Sequence, residues 1–95
     1  MTTVVHIRDG YDVYIGRKNR RVGLPRSKWA NPFRIGCDGN RQAVIRMYRN
    51  WIVTQEHLLV CLHELKNKRL GCWCYPKECH GDVLVELVNT LIPGE

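Results

Sequence analysis

The chain has 95 residues, 44% of them hydrophobic, and a formal net charge of +6. That length suits a single domain over 1–95 with one modest core, small enough for a metal or partner to contribute to its stability. No apolar run approaches the roughly 18 residues of a membrane span. The start, Met1-Thr2-Thr3-Val4-Val5-His6, lacks the basic region and long apolar core of a signal peptide, so a cytoplasmic location is expected. An odd count of five cysteines fits a secreted disulfide framework badly. Free thiols, a metal site or a reactive cysteine fit better.

Thr3-Val4-Val5-His6-Ile7 is β-branched and reads as a strand. Asp9-Gly10 signals a turn, and Asp12-Val13-Tyr14-Ile15 reads as a second strand, so a hairpin is expected. Gly16 to Gly39 is a long connection without clear periodicity, the kind that often carries function. Arg17, Lys18, Arg20, Arg21, Arg26 and Lys28 crowd into it. Such a run is either a solvated face or a surface for phosphates. Its Gly23, Pro25, Trp29, Pro32 and Phe33 favour an ordered path.

Asp38 or Asn40 can cap a helix with the stripe Val44, Ile45, Tyr48, Trp51 and Ile52. Thr54 is the expected cap of a second helix, with Leu58, Cys61, Leu62 and Leu65 on one face. Arg69 to Trp73 reads as a third strand. Gly81 to Leu91 reads as a third helix, with Val83, Leu84, Leu87, Val88 and Leu91 inward and Pro93-Gly94 closing it. The fold class is α/β: a single small domain, a three-stranded sheet with three helices in the order β-β-α-α-β-α.

Cys72-Trp73-Cys74-Tyr75-Pro76-Lys77-Glu78-Cys79-His80 gathers three cysteines and a histidine on the turn from the third strand to the third helix. Alternation along a strand would project Cys72 and Cys74 together, with Cys79 and His80 returning at the helix mouth. Cys72, Cys74, Cys79 and His80 are therefore candidate zinc ligands, with Cys37 able to replace one of them. The C-x-C-x₄-C-H spacing is not a standard zinc pattern, and adjacent Cys79 and His80 seldom reach one metal without strain. A second reading makes Cys79 a reactive thiol, its pKa lowered by the helix N-terminus, with His80 as base and Asp82 in the first turn. The same N-terminus could hold an anion. A third makes the thiols core fillers. Cys61, His6, Tyr48 and Trp51 read as core, and His57 and His63 as surface. Trp73, between two cysteines, should face away from them, packing under the last helix or offering a stacking surface.

Four blocks are distinctive in combination: Tyr14-Ile15-Gly16-Arg17, Ser27-Lys28-Trp29-Ala30-Asn31-Pro32-Phe33, Leu70-Gly71-Cys72-Trp73-Cys74 and Cys79-His80-Gly81-Asp82-Val83-Leu84. In these the chain resembles the small family of bacteria and their phages catalogued as domain of unknown function 4326, over nearly its whole length. The resemblance implies that the signature residues form one site: Tyr14, Gly16, Arg17, Ser27, Lys28, Trp29, Asn31, Pro32, Phe33, Cys72, Trp73, Cys74, Pro76, Cys79, His80, Gly81 and Asp82.

Two functional classes follow. In the first, the chain binds or modifies a nucleotide, nucleobase or nucleic acid. Arg17 and Lys28 meet phosphate, Trp29 or Phe33 stacks on a base, Asn31 reads its edge, Tyr14, Gly16 and Ser27 complete the pocket, and Cys79, His80 and Asp82 supply the chemistry. In the second, it is a zinc-stabilised, non-enzymatic module for a nucleic acid or protein partner. The first requires the loop carrying Trp29, Asn31 and Phe33 to share a pocket with the Cys72–His80 turn.

Overall fold

The structure, a computed structural model, describes residues 1–93. Strands β1 (Thr3–His6), β2 (Val13–Tyr14) and β3 (Arg69–Cys72) form one sheet in the order β1-β3-β2. Helices α1 (Arg41–Ile52), α2 (Glu56–Leu59) and α3 (His80–Leu91) complete the expected order of elements. Gly94, expected to help close the last helix, lies outside the described residues. Among the described residues no helix is long and apolar enough to cross a membrane.

The hairpin expected from Asp9-Gly10 is not formed. Both β1 and β2 pair in parallel with β3, on its opposite edges. The physical reason lies in two places. Asp12 accepts hydrogen bonds from the Arg69 backbone N–H at 2.8 Å and from its guanidinium, while Asp12 N–H donates to Arg69 O at 2.9 Å. These bonds fix the start of β2 beside the start of β3. Between β1 and β2, a short 3₁₀ turn at Ile7–Asp9 and Gly10, at φ +83°, send the chain across the sheet. It crosses at Gly71, where an added Cβ would stand 2.6 Å from the Tyr11 ring. The absence of a side chain at Gly71 is what admits Tyr11 and lets so short a crossover pass.

Strand alternation then puts Leu70 and Cys72 on the other face, in the core with Ile15, Trp29, Tyr48, Ile52, Val83, Leu84 and Val88. The central strand is buried from Leu70 to Cys72, as a parallel strand covered on both faces should be. Asn40 caps α1 by accepting from Ala43 N–H at 2.8 Å, and Val44, Tyr48 and Ile52 form its buried face. The second helix is shorter than its pattern suggested. Thr54 does not cap it; its hydroxyl donates back to Trp51 O at 2.7 Å and finishes α1. After α2 the chain tightens into a 3₁₀ turn at Leu62–Leu65, which still buries Leu62 and Leu65 beside Leu58.

Leu91, expected inward, is 52% exposed, because α3 ends there and Ile92, in extended backbone, packs against the core instead. At its start α3 sits tightly on the sheet. A Cβ on Gly81 would be 2.9 Å from both Ile15 Cδ1 and Val4 Cγ2. Gly81 therefore sets how closely the Cys79–His80 turn approaches the ends of the strands.

Candidate functional site

The carboxyl ends of β2 and β3 open into a cleft of about 490 Å³. This is where open parallel sheets place ligands. Tyr14 at the end of β2 lines it with Gly16 and Arg17 just beyond, and Cys72 at the end of β3 with Trp73 and Cys74 just beyond. The mouth of α3 adds Glu78, Cys79 and His80. The long loop contributes Asn31, Phe33, Arg34, Ile35 and Cys37, and α1 contributes Arg41, Val44 and Ile45. Asn31 and Phe33 thus share one cleft with the Cys72–His80 turn, as the shared-pocket reading requires.

The loop reaches this position by a chain of backbone contacts. Asn19 and Leu24 exchange two hydrogen bonds at 2.8 and 2.9 Å. Ser27 N–H donates to Gly16 O at 3.0 Å, and Ser27 Oγ accepts from Trp29 N–H at 3.0 Å. Trp29 and Ala30 then enter the core, where the Tyr48 hydroxyl donates to Trp29 O at 2.8 Å. Asn31 turns the chain out again. Its amide donates to Val44 O at 3.2 Å and its carbonyl accepts from Phe33 N–H at 2.9 Å. The Arg17 guanidinium donates to the carbonyls of Asn31 and Phe33, both at 2.8 Å.

Several expected ligand groups are therefore committed within the protein. Arg17 clamps the loop, and Asn31 shapes it. Trp29 is buried and lines no part of the cleft. Lys28 lies 2.8 Å from Glu64 and 5.5 Å from the Trp29 ring centroid, away from the cleft lining. The cations that do reach the cleft besides Arg17 are Lys18, Arg34 and Arg41, against the single acid Glu78. Arg34 and Arg41 are the residues that reading the sequence missed. Arg34 directly follows the Asn31-Pro32-Phe33 block and Arg41 directly follows the α1 cap, which were the available signals.

Trp73 is the exposed aromatic of the cleft, at 41%. It follows the last residue of β3, so strand alternation no longer governs its direction. Its Nε1–H donates to the Tyr14 hydroxyl at 2.9 Å, and that hydroxyl donates to Arg17 O. The His6 ring meets Trp73 edge-on, with centroids 6.1 Å apart. Gly16 makes room for this arrangement: a Cβ there would lie 2.5 Å from the Tyr14 hydroxyl oxygen.

His80 donates from Nε2 to Ile15 O at 2.7 Å, since a carbonyl can only accept. Burial lowers its pKa to about 4, with the Arg17 charge adding to the shift against the Ile15 bond and Asp82. The ring is thus neutral at pH 7, with Nδ1 an acceptor. No side-chain nitrogen is both buried and unpartnered among the described residues, so Nδ1 is not fully enclosed, and His80 is among the residues lining the cleft.

Cys72 and Cys79 are both buried, their sulfurs 3.5 Å apart, with the Cys79 thiol donating to Cys72. That bond is the main cause lowering the Cys72 pKa to about 6; the N–H groups of Tyr75 and Cys74 assist, against burial. The same bond, together with burial, pushes the Cys79 thiol up. Within the pair this bond favours charge on Cys72 over Cys79. Cys79 instead caps α3. Its sulfur accepts from Gly81 N–H at 3.3 Å, while Asp82 accepts from Cys79 N–H at 3.2 Å. Asp82 completes this capping box and does not line the cleft. The donors that could have held an anion at this helix start are largely occupied.

The zinc tetrad expected from Cys72, Cys74, Cys79 and His80 is not assembled in this arrangement. Among the described residues no three of His, Cys, Asp and Glu come together as a group able to hold a metal ion.

Comparison with known proteins gives a family. The model of a domain of unknown function (DUF4326) matches residues 3–90. An uncharacterized protein, R718, of Acanthamoeba polyphaga mimivirus is 43% identical, over 84% of this chain and 68% of its own length. An uncharacterized 12.4 kDa protein from the nrdA-td intergenic region of Enterobacteria phage T4 is 37% identical, over 70% of this chain and 65% of its own length. The chain thus spans about two thirds of each relative. No solved structure matches. With a family model covering nearly the whole chain and a relative above 40% identity, the chain belongs to the DUF4326 family.

Proposed function

We propose that the cleft binds a nucleotide, with Trp73 stacking on the base and Lys18, Arg34 and Arg41 facing the phosphate. The observation that carries this reading is the fixed, half-exposed Trp73 in a cleft whose cations outnumber its acids. The indole N–H is already satisfied by Tyr14, so the ring offers a ligand its π face and nothing else to hydrogen-bond. A planar aromatic ring is the natural partner for such a face. The cleft volume lies in the range typical of small-ligand sites. His80 Nδ1 adds one acceptor, suited to an N–H or O–H on base or sugar.

The test is a titration of the protein with nucleosides, nucleoside mono-, di- and triphosphates, and short single-stranded oligonucleotides, followed by tryptophan fluorescence and calorimetry. A saturable one-to-one signal with a phosphorylated nucleoside, weaker for the nucleoside alone and lost in Trp73→Ala, supports the proposal. Tighter binding of oligonucleotides than of mononucleotides would make a strand the ligand. Binding untouched by Trp73→Ala, or no binding across the panel, would overturn it.

A further inference from the structure

We propose that Cys72 and Cys79 form an oxidisable dithiol in the wall of the cleft, closed to a disulfide by a peroxide-class oxidant. The geometry carries this. The two sulfurs are already in contact at 3.5 Å, and no other pair of cysteine sulfurs is in hydrogen-bond contact among the described residues. A disulfide needs about 2.05 Å, so closure asks for about 1.5 Å of approach. Cys72 is the last residue of β3 and Cys79 the N-cap of α3, so both sit on ordered elements. Both line the cleft, which gives a small uncharged peroxide a route to sulfurs that are otherwise buried. A bulky disulfide such as glutathione disulfide has no comparable access.

The chemistry balances in two steps. Ionised Cys72 attacks one oxygen of hydrogen peroxide and the O–O bond breaks; the OH it gains makes it a sulfenic acid, and the departing hydroxide takes up the proton Cys72 gave off and leaves as water. The Cys79 sulfur then attacks the Cys72 sulfur, the S–O bond breaks, and the Cys79 proton leaves with the oxygen as water. Overall, two thiols and one peroxide give one disulfide and two waters. The Cys79 sulfur already lies against the Cys72 sulfur, so the resolving group is in place. Closure draws Cys79 Sγ off Gly81 N–H and so loosens the cap at the cleft edge of α3.

The test uses the whole reduced chain, freed of metal by chelation and treated with about one equivalent of hydrogen peroxide, then mapped by tryptic mass spectrometry without reduction. Cleavage after Lys77 separates Cys72 and Cys74 from Cys79, so a Cys72–Cys79 bond appears as a linked pair of peptides. The expected result is that linked pair in the wild type and undiminished in Cys74→Ser, with Cys37 and Cys61 still free. In Cys79→Ser the link is lost, and Cys72 is trapped as a sulfenic acid by dimedone. The wild-type map stands even where Cys79→Ser fails to fold. A link that vanishes in Cys74→Ser, oxidation that falls first on Cys37, or a pair unchanged after peroxide has oxidised Cys37 would each overturn the proposal.

Discussion

Trp73 hangs from Tyr14: the indole N–H donates to a phenolic oxygen whose own proton is given to Arg17 O. One hydroxyl therefore joins the ends of two neighbouring strands and fixes an exposed aromatic. Tyr14→Phe should cost about 1–2 kcal/mol of stability by removing these bonds, read by urea denaturation. Nucleotide binding should fall much further, because Trp73 loses its fixed orientation. Trp73→Ala should instead leave the melting temperature nearly unchanged while abolishing binding.

Gly16 is part of the same device. Any Cβ there meets the Tyr14 hydroxyl oxygen at 2.5 Å, so Gly16→Ala must push the phenol aside. We expect a loss of about 1–3 kcal/mol, as for other overpacked sites. Tyr14→Phe would remove the oxygen but leave the ring carbons Cζ and Cε1 at 2.7 and 2.9 Å from that Cβ, so it is a Tyr14→Ala background that lifts the block, and there the two changes should not add. A double-mutant cycle by chemical denaturation measures this coupling.

How much of this was legible depends on whether the signal was local. Periodicity and caps revealed the order of elements, the α1 cap at Asn40 and the buried faces of α1 and α3. The parallel arrangement of β1 and β2 was not legible, because Asp9-Gly10 is a sound turn signal and the deciding contacts, Asp12 with Arg69 and Tyr11 over Gly71, join residues far apart in sequence. The cleft was half legible. The motif blocks named its walls, but composition cannot say which of two adjacent residues faces inward. Trp29 or Phe33 was expected to stack; Trp29 is buried, Phe33 lines the cleft, and Trp73, also offered as a stacking surface, is exposed. The thiols were open to three readings, and the contact between Cys72 and Cys79 that bears on them joins the end of a strand to the start of a helix, which spacing alone does not reveal.

His80 makes stability depend on pH. Its folded pKa, about 4, lies below the ordinary 6.5, chiefly through burial. Between these values the unfolded chain binds more protons than the folded one. The stabilisation is thus fully present above pH 6.5 and is lost as pH falls toward 4. The full shift corresponds to about 3 kcal/mol as an upper bound. Replacing the ring by His80→Gln should lower stability at pH 7 and flatten the slope in this window, as followed by denaturation midpoints from pH 4 to 7. An unchanged slope would place the titration elsewhere.

The last prediction separates the cations by where they point. Lys28 pairs with Glu64 on an exposed surface, an interaction worth at most about 1 kcal/mol. Lys28→Ala should leave both fold and binding close to wild type. Arg34 and Arg41 line the cleft, and Arg41 is steered there by its bond to Glu78 O at 2.9 Å. Arg34→Ala and Arg41→Ala should each weaken a phosphorylated ligand by roughly tenfold, the size of one lost charge-assisted hydrogen bond. They should leave binding of the unphosphorylated nucleoside alone, and reduce the dependence of affinity on salt. Calorimetry on the three variants at two ionic strengths decides the matter. If Lys28→Ala weakens binding as much as Arg34→Ala, the phosphate lies outside the cleft. If both forms of the ligand weaken equally in Arg41→Ala, that side chain is shaping the Glu78 turn and not meeting charge.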